Sequence, residues 1–133
     1  TIHNRMRFKM WLEQNRPIVS FDFDGVLHTS LIPGTTHPES FWDYESWEPR
    51  LDMHQRLREE AQDNDVVVVS ARDSGMEEAM WEFIQMHNLP VKAIYVTNDR
   101  PKWSTLQKIG AIRHYDDSPR VRDELAGKPI EFV

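Results

Sequence analysis

A chain of 133 residues with 39% hydrophobic and 29% charged residues is sized for a single folded domain, 1–133, and carries no low-complexity run typical of disorder. Its net charge of -6 argues against a general nucleic-acid binder, whose affinity rests on basic residues displacing counterions, and its lack of cysteine excludes disulfides and thiolate catalysis. The longest apolar runs, such as Val66-Val67-Val68-Val69, fall far below the ~20 residues of a membrane helix, and Thr1-Ile2-His3-Asn4-Arg5 holds no apolar signal core, so a cytoplasmic protein is expected.

Residues 2–14 mix apolar Ile2, Met6, Phe8, Met10, Trp11 and Leu12 with basic Arg5, Arg7 and Lys9, a pattern that predicts a solvated helix on the domain edge. Four apolar runs follow, at Ile18–Phe23, Val66–Val69, Val91–Val96 and Ala111–Tyr115. Near-continuous Val and Ile at these runs predict strands covered on both faces, as in a parallel sheet flanked by helices.

Punctuation places the helices between them. Pro49 is expected to open a helix over 49–62 with Leu51, Leu57 and Ala61 inward, closed by Asp63-Asn64. Ser74-Gly75-Met76-Glu77 reads as a capping box ahead of Met76, Ala79, Met80, Phe83, Ile84 and His87, a strongly helical spacing. Pro101 suits the first turn of a third helix that Gly110 stops after Ile109; Ser118-Pro119 starts a short fourth that Gly127 ends, and Pro129–Val133 reads as an edge strand. The alternation predicts a doubly wound, Rossmannoid α/β domain, whose ligands sit beyond the carboxyl ends of the strands.

Those ends collect chemistry: Asp22 and Asp24, then Ser70 and Arg72, then the loop from Asn98-Asp99 to Lys102, then Asp116 and Asp117. Four carboxylates at one sheet edge repel one another unless a hard divalent cation with oxygen ligands offsets them, and Mg2+ fits best. A carboxylate beside a metal suits phosphoryl transfer: Asp22 attacks phosphorus to form an aspartyl-phosphate that water hydrolyses, with Asp24 as general acid and base. Ser70 offers a hydroxyl to a phosphate oxygen, and Lys102 a charge that steadies both the aspartate and the phosphoryl group.

In order and placement, Phe21-Asp22-Phe23-Asp24-Gly25-Val26-Leu27, Ser70, Lys102 and Tyr115-Asp116-Asp117 resemble the four motifs of the haloacid dehalogenase (HAD) superfamily of phosphohydrolases. The resemblance spans Pro17 to Val133. It implies Asp22 as nucleophile, Asp24 as an acid/base whose carbonyl also reaches Mg2+, Asp116 or Asp117 as further metal ligands, and a phosphatase rather than a dehalogenase. More narrowly, Ser70-Ala71-Arg72-Asp73-Ser74-Gly75 with Asp116-Asp117 is similar to the 3′-phosphatase domain of phage-type polynucleotide kinase-phosphatases and RNA-repair HAD domains, a group whose Ser and Arg both serve the site. That likeness implies a substrate-binding role for Arg72. The chain departs at Ser118-Pro119, where those relatives usually carry Arg after the paired acids, and there it is similar to carboxy-terminal-domain phosphatases.

Residues 28–48 form a minimal cap insert, too short for a separate cap domain, which leaves the site open to a polymer end, a nucleotide or a phosphoprotein. Its Phe41, Trp42, Tyr44 and Trp47 suit core packing first and base stacking second, while Trp81 and Trp103 suit helix packing. His28 and His37 read as surface or hydrogen-bonding residues rather than metal ligands. The expected substrate is a phosphorylated nucleotide or a polynucleotide 3′ end, with a small metabolite or phosphoprotein next. The competing class is a phosphate- or partner-binding module without turnover.

Overall fold

The computed structural model describes residues 16–29 and 44–133. The helix expected over 2–14, with Arg5, Arg7 and Lys9, and the insert residues His37, Phe41 and Trp42 lie outside the described residues.

Among the described residues, strands β1 (Ile18–Phe21), β4 (Asp65–Ser70), β5 (Val91–Val96), β6 (Ala111–Tyr115) and β7 (Glu131–Phe132) form one sheet in the order β5-β4-β1-β6-β7. Every pairing in it is parallel. Two short strands, β2 (His28–Thr29) and β3 (Glu48–Pro49), pair antiparallel as a separate ribbon. The helices are α1 (Leu51–Glu60), α2 (Glu77–Met86), α3 (Trp103–Ile109) and α4 (Pro119–Leu125).

The alternation of side chains along β4 explains the layering. Val66 and Val68 join Val19, Phe21, Leu57 of α1 and Met80, Phe83 and Ile84 of α2 in one core. Val67 and Val69 join Leu106 of α3 and Val121 and Leu125 of α4 in the other. Successive residues of a strand point to opposite faces, so a valine run fills both cores at once, each side chain contributing about 1.5–3 kcal/mol. The expected doubly wound architecture is what forms. Strand β5 lies on the sheet's edge, where Lys92 and Tyr95 are exposed and its other residues half-buried rather than covered on both faces.

The sheet order fixes where ligands belong. From β1 the chain winds outward through β4 and β5, then returns to the other side of β1 for β6 and β7. That reversal creates a switch point between β1 and β6, beyond whose carboxyl ends a crevice opens. Asp22 and Asp116 are the residues that follow these two strands.

Three local expectations need correction. Pro49 pairs with His28 in the β2–β3 ribbon instead of opening α1, which begins at Leu51; Leu51 is 70% exposed, and the helix buries His54 and Leu57. A proline lacks the amide a ladder needs and is tolerated on a short edge strand, so its presence there breaks no bond. The capping box at Ser74 does not form: the Asp73 carboxylate accepts the Gly75 amide at 3.1 Å, the Ser74 amide donates to Asn98 Oδ1 at 3.2 Å, and a 3-10 turn over Ser74–Met76 leads into α2. Pro101 precedes α3 by two residues. As expected, Gly110 ends α3 in the left-handed conformation, and the Ser118 hydroxyl caps α4 by accepting the Val121 amide.

Trp47 is buried against Phe23 and Phe83, and Tyr44, Trp81 and Trp103 also pack on the cores, so these four rings serve packing. No helix among the described residues is long and apolar enough to cross a membrane.

Candidate active site

Parallel pairing continues past β1: the Asp22 amide donates to the Tyr115 carbonyl at 2.8 Å, which brings Asp22 alongside Asp116. Asp22 is 8% exposed. Its Oδ1 accepts from the Phe23 amide at 2.8 Å and lies 2.9 Å from Lys102 Nζ. Burial drives the Asp22 carboxyl well above the usual carboxylate range; Lys102 opposes that shift and the charge of Asp116 adds to it.

Lys102 comes from the residue before α3 and is 3% exposed. Its ammonium donates to Asp116 Oδ2 at 2.7 Å as well as facing Asp22, so one cation bridges two acids from different strands. The Asp116 carboxylate also accepts from the Ser118 amide at 3.0 Å and from His114 Nε2 at 2.8 Å. Burial alone would raise its pKa, but the His114 hydrogen bond and the Lys102 charge hold it well below the usual range. His114 is fully buried, burial keeps its ring below its ordinary pKa, and its Nδ1 sits 2.7 Å from Ser20 Oγ. A neutral ring that donates through Nε2 to Asp116 accepts from Ser20 through Nδ1, which fixes its tautomer. A chain of contacts therefore runs Ser20, His114, Asp116, Lys102, Asp22. Ser20 and His114 were not singled out from the sequence; the signal was the two-residue spacing of His114 and Asp116, which puts them on one face of a strand.

Asp24 belongs to a second cluster. The chain turns sharply after Asp22, with the Leu27 amide on the Phe23 carbonyl at 3.0 Å and Gly25 at φ +78°. Asp24 there meets Arg72, whose Nε and Nη2 donate to its two oxygens at 2.7 and 2.5 Å. His28 Nε2 stands 3.0 Å from Asp24 Oδ1 without the alignment of a hydrogen bond. Burial pushes the Asp24 carboxyl up, yet the hydrogen bonds from Arg72, with the His28 ring close by, prevail and bring it down to about 2. Arg72 is 5% exposed, its guanidinium 4.6 Å from the Trp47 ring centre and 5.4 Å from that of Phe23. The residue expected to hold substrate is thus buried on aromatic faces with its fork on Asp24. His28, expected near the surface, is fully buried and stacked on Trp47 at 4.8 Å.

Asp117 is exposed, and Asp22, Asp116 and Asp117 each offer a carboxylate oxygen within 4.8 Å of the others. This group can hold a metal ion. Asp24, by contrast, directs its carboxylate to Arg72, outside that trio. Gly25 completes the arrangement: a Cβ there would overlap Asp117 Oδ2 and lie 3.0 Å from its Cγ, so only glycine leaves the carboxylate its place. Carboxylate oxygens are hard donors of the kind that a divalent cation takes.

Asp22 and Asp116 also line a cavity of about 170 Å3, together with the buried Lys102 and, where it opens to solvent, the exposed Asp99, Arg100 and Arg120. Ser70 is fully buried beneath it, its hydroxyl accepting the Arg72 amide at 3.2 Å. Of the seven site residues expected from the sequence, Asp22, Lys102, Asp116 and Asp117 come together, while Asp24 and Arg72 form the adjoining pair and Ser70 lies below.

The fold recurs in solved structures. A chain of the Pnkp1/Rnl/Hen1 complex superposes with a TM-score of 0.73 at 18% identity, over 91% of this chain and 45% of the other. A chain in a second structure, of the Pnkp1/Rnl/Hen1 RNA repair complex, gives 0.67 at 18% identity over 89% and 42%. These likenesses establish a shared fold. The chain spans less than half the length of each of these two chains. No family model and no curated protein matches the sequence.

Proposed function

We propose that residues 1–133 act as one Mg2+-dependent phosphomonoesterase of HAD type, cleaving the 3′ phosphate of a nucleotide or polynucleotide through an aspartyl-phosphate on Asp22. The observation that carries this reading is the meeting of Asp22, Asp116, Asp117 and Lys102 at the switch point of the sheet, beside a cavity of phosphoryl size. Two buried acids on one buried lysine are weak evidence of a stabilising role, since buried ion pairs seldom stabilise more than a packed core. The RNA repair complex named for the neighbouring structure supports the choice of nucleic-acid substrate.

Asp22, Asp116 and Asp117 would hold Mg2+, with the Asp24 carbonyl as a further ligand by resemblance. When bound, the ion offsets the repulsion between carboxylates and phosphate and polarises the phosphoryl oxygens. Asp22 Oδ1 is engaged by Lys102 and the Phe23 amide, which leaves Oδ2 without a hydrogen bond or ion pair among the described residues. Attack by Asp22 forms an O–P bond as the bond to the leaving oxygen breaks, and Lys102 holds the charge that accumulates. Water then attacks phosphorus, the Asp22 carboxylate leaves, and inorganic phosphate is released. Held ionised by Arg72, Asp24 is set to take the water proton in this second half. Donating a proton to the leaving oxygen in the first half requires the Arg72 contacts to loosen. Arg72 and Ser70 act here as supports, Arg72 fixing Asp24 and Ser70 ordering the loop through the Arg72 amide.

The test is release of p-nitrophenol from p-nitrophenyl phosphate with and without Mg2+, in the native chain and in Asp22→Asn. Metal-dependent turnover that Asp22→Asn abolishes is expected. Hydrolysis equal in both proteins would overturn the reading, and none in the native chain would favour a phosphate-binding module.

A further inference from the structure

We infer that Arg100 and Arg120 grip the phosphodiester next to the terminal phosphate, so that the enzyme selects polynucleotide 3′ ends over mononucleotides; this rests on the phosphatase reading above. Size comes first. The Asp22 cavity holds about 170 Å3, whereas pockets that enclose a whole small ligand measure roughly 300–1,000 Å3. A phosphoryl group fits, and the remainder of any nucleotide stays outside, at the mouth where the two arginines stand.

Backbone construction puts them there. Asn98 and Asp99 have φ of +52° and +62°, two consecutive left-handed residues that are not glycine. The Arg100 amide returns to the Thr97 carbonyl at 3.0 Å, closing a tight turn. Three more amides, of Thr97, Asn98 and Asp99, bond the carbonyls of Ser70, Arg72 and Ala71 at 2.8, 3.1 and 2.7 Å. Such a conformation persists only where its surroundings over-determine it, and it recurs at ligand clamps. Its result is to present Arg100 at the cavity mouth just before Lys102 enters the interior.

Arg120 arrives from the opposite wall. Glu124 accepts the amides of Lys102 and Trp103 at 3.2 and 3.0 Å, which ties α4 to the start of α3. Arg120, four residues earlier on the same helix face, therefore overhangs the same cavity. Its one ion-pair contact among the described residues is with Asp99 at 3.8 Å, both side chains more than 70% exposed, an association too weak and solvated to hold it. Arg100 has no side-chain hydrogen bond or ion pair among the described residues. Of the acids at this mouth, Glu124 is engaged with backbone amides and Asp99 faces Arg120, so an anion placed between the arginines meets two forked donors. In a chain of net charge -6, these two solvent-facing guanidiniums beside the cavity are the groups that a phosphodiester following the terminal phosphate would meet.

The experiment compares kcat/KM for a short 3′-phosphorylated oligonucleotide with that for a nucleoside 3′-monophosphate, in the native chain and in Arg100→Ala/Arg120→Ala. The native preference for the oligonucleotide is expected to be roughly tenfold or more and carried by KM, as for a charge-assisted contact. It should collapse in the double variant and for a native-chain substrate whose last linkage is an uncharged methylphosphonate. Lys108→Ala, which removes the same charge from the last turn of α3, should keep it. Equal use of both substrates by the native chain, or an unchanged preference in the double variant, would overturn the inference. Binding of a labelled 3′-phosphorylated oligonucleotide, followed by anisotropy against salt, separates this from failure of the phosphatase reading. If no phosphomonoester is turned over, weaker binding and a shallower salt slope in the double variant still uphold the rim contact, and identical titrations reject it.

Discussion

Replacing Gly25 by alanine tests how the turn after β1 builds the acidic site. At φ +78° an L-residue pays about 1–2 kcal/mol for the left-handed conformation, and the stiffer unfolded chain returns about 0.4–1 of it. The added methyl also overlaps the Asp117 carboxylate, which must move. Together these predict a loss of about 1–3 kcal/mol, a fall in Tm of about 3–10 °C for a chain of this size. Urea denaturation of Gly25→Ala, Asp117→Ala and the double variant, all without metal, separates the two parts. Backbone strain survives removal of Asp117, whereas the overlap does not, so the double variant should lose less than the sum of the single changes by 0.5 kcal/mol or more. Titration with Mg2+ supplies the functional half: bound ion stabilises the native chain by about 2.7 kcal/mol at a hundredfold excess over Kd, and Gly25→Ala should show a smaller rise in Tm at the same Mg2+. A Gly25→Ala protein with native stability and a native response to Mg2+ would refute the whole construction.

Lys102→Met removes the cation bridging Asp22 and Asp116 and leaves two buried acids face to face, a loss of about 3–5 kcal/mol in chemical denaturation. Added Mg2+ should recover more stability in Lys102→Met than in the native chain, and equal recovery would contradict a shared acidic centre. Arg72→Ala should lower kcat on the order of a hundredfold with KM moved only a few-fold, because it releases Asp24; a rise in KM alone would restore Arg72 to the substrate. Glu60 carries the acid-stability prediction: hydrogen bonds from Arg113 hold its pKa below its ordinary 4.5 against burial, with Tyr115 assisting. Being lowered in the folded state, it contributes stability that is full above 4.5 and lost as pH falls through and below that value. Glu60→Gln should therefore cost about 1–3 kcal/mol at neutral pH and flatten the acid limb of a Tm-against-pH curve; an unaltered limb would exclude this cluster.

How far such structure can be read from residue order depends on whether one element or several decide it. The inner strand run was legible because a parallel strand covered on both faces is apolar on both, and Val66 to Val69 satisfy two cores without reference to any partner. Cap positions were less so. Asp73 and Ser74 are neighbouring residues that both favour caps, and the choice fell to Asp73 because Asn98, from another loop, took the Ser74 amide. Likewise Pro49 suits a helix start and an edge strand equally, and only its pairing with His28 selects the strand.

At the site the same division holds, and it decides which residues a sequence can place together. Asp22, Lys102 and Asp116 were legible because each follows, or is placed by, a strand end, and topology alone carries strand ends to one edge. Arg72 also follows a strand end, yet its direction is set by what lies laterally. Trp47 and Phe23 offer aromatic faces to the guanidinium, Asp24 matches its fork, and a buried arginine gains most where both are met. Those partners come from the turn after β1 and from the insert, segments with no periodic signal. His114 escaped notice for the opposite reason: its strand was obvious, and a histidine in an apolar run reads as core, although it stands two residues before Asp116 on the same face. A polar residue two positions before a strand-end acid thus has only the interior to face, and the acid is its nearest partner. In an α/β fold the residues that touch the reaction are placed by topology, whereas those that hold them are placed by packing, which only the folded chain discloses.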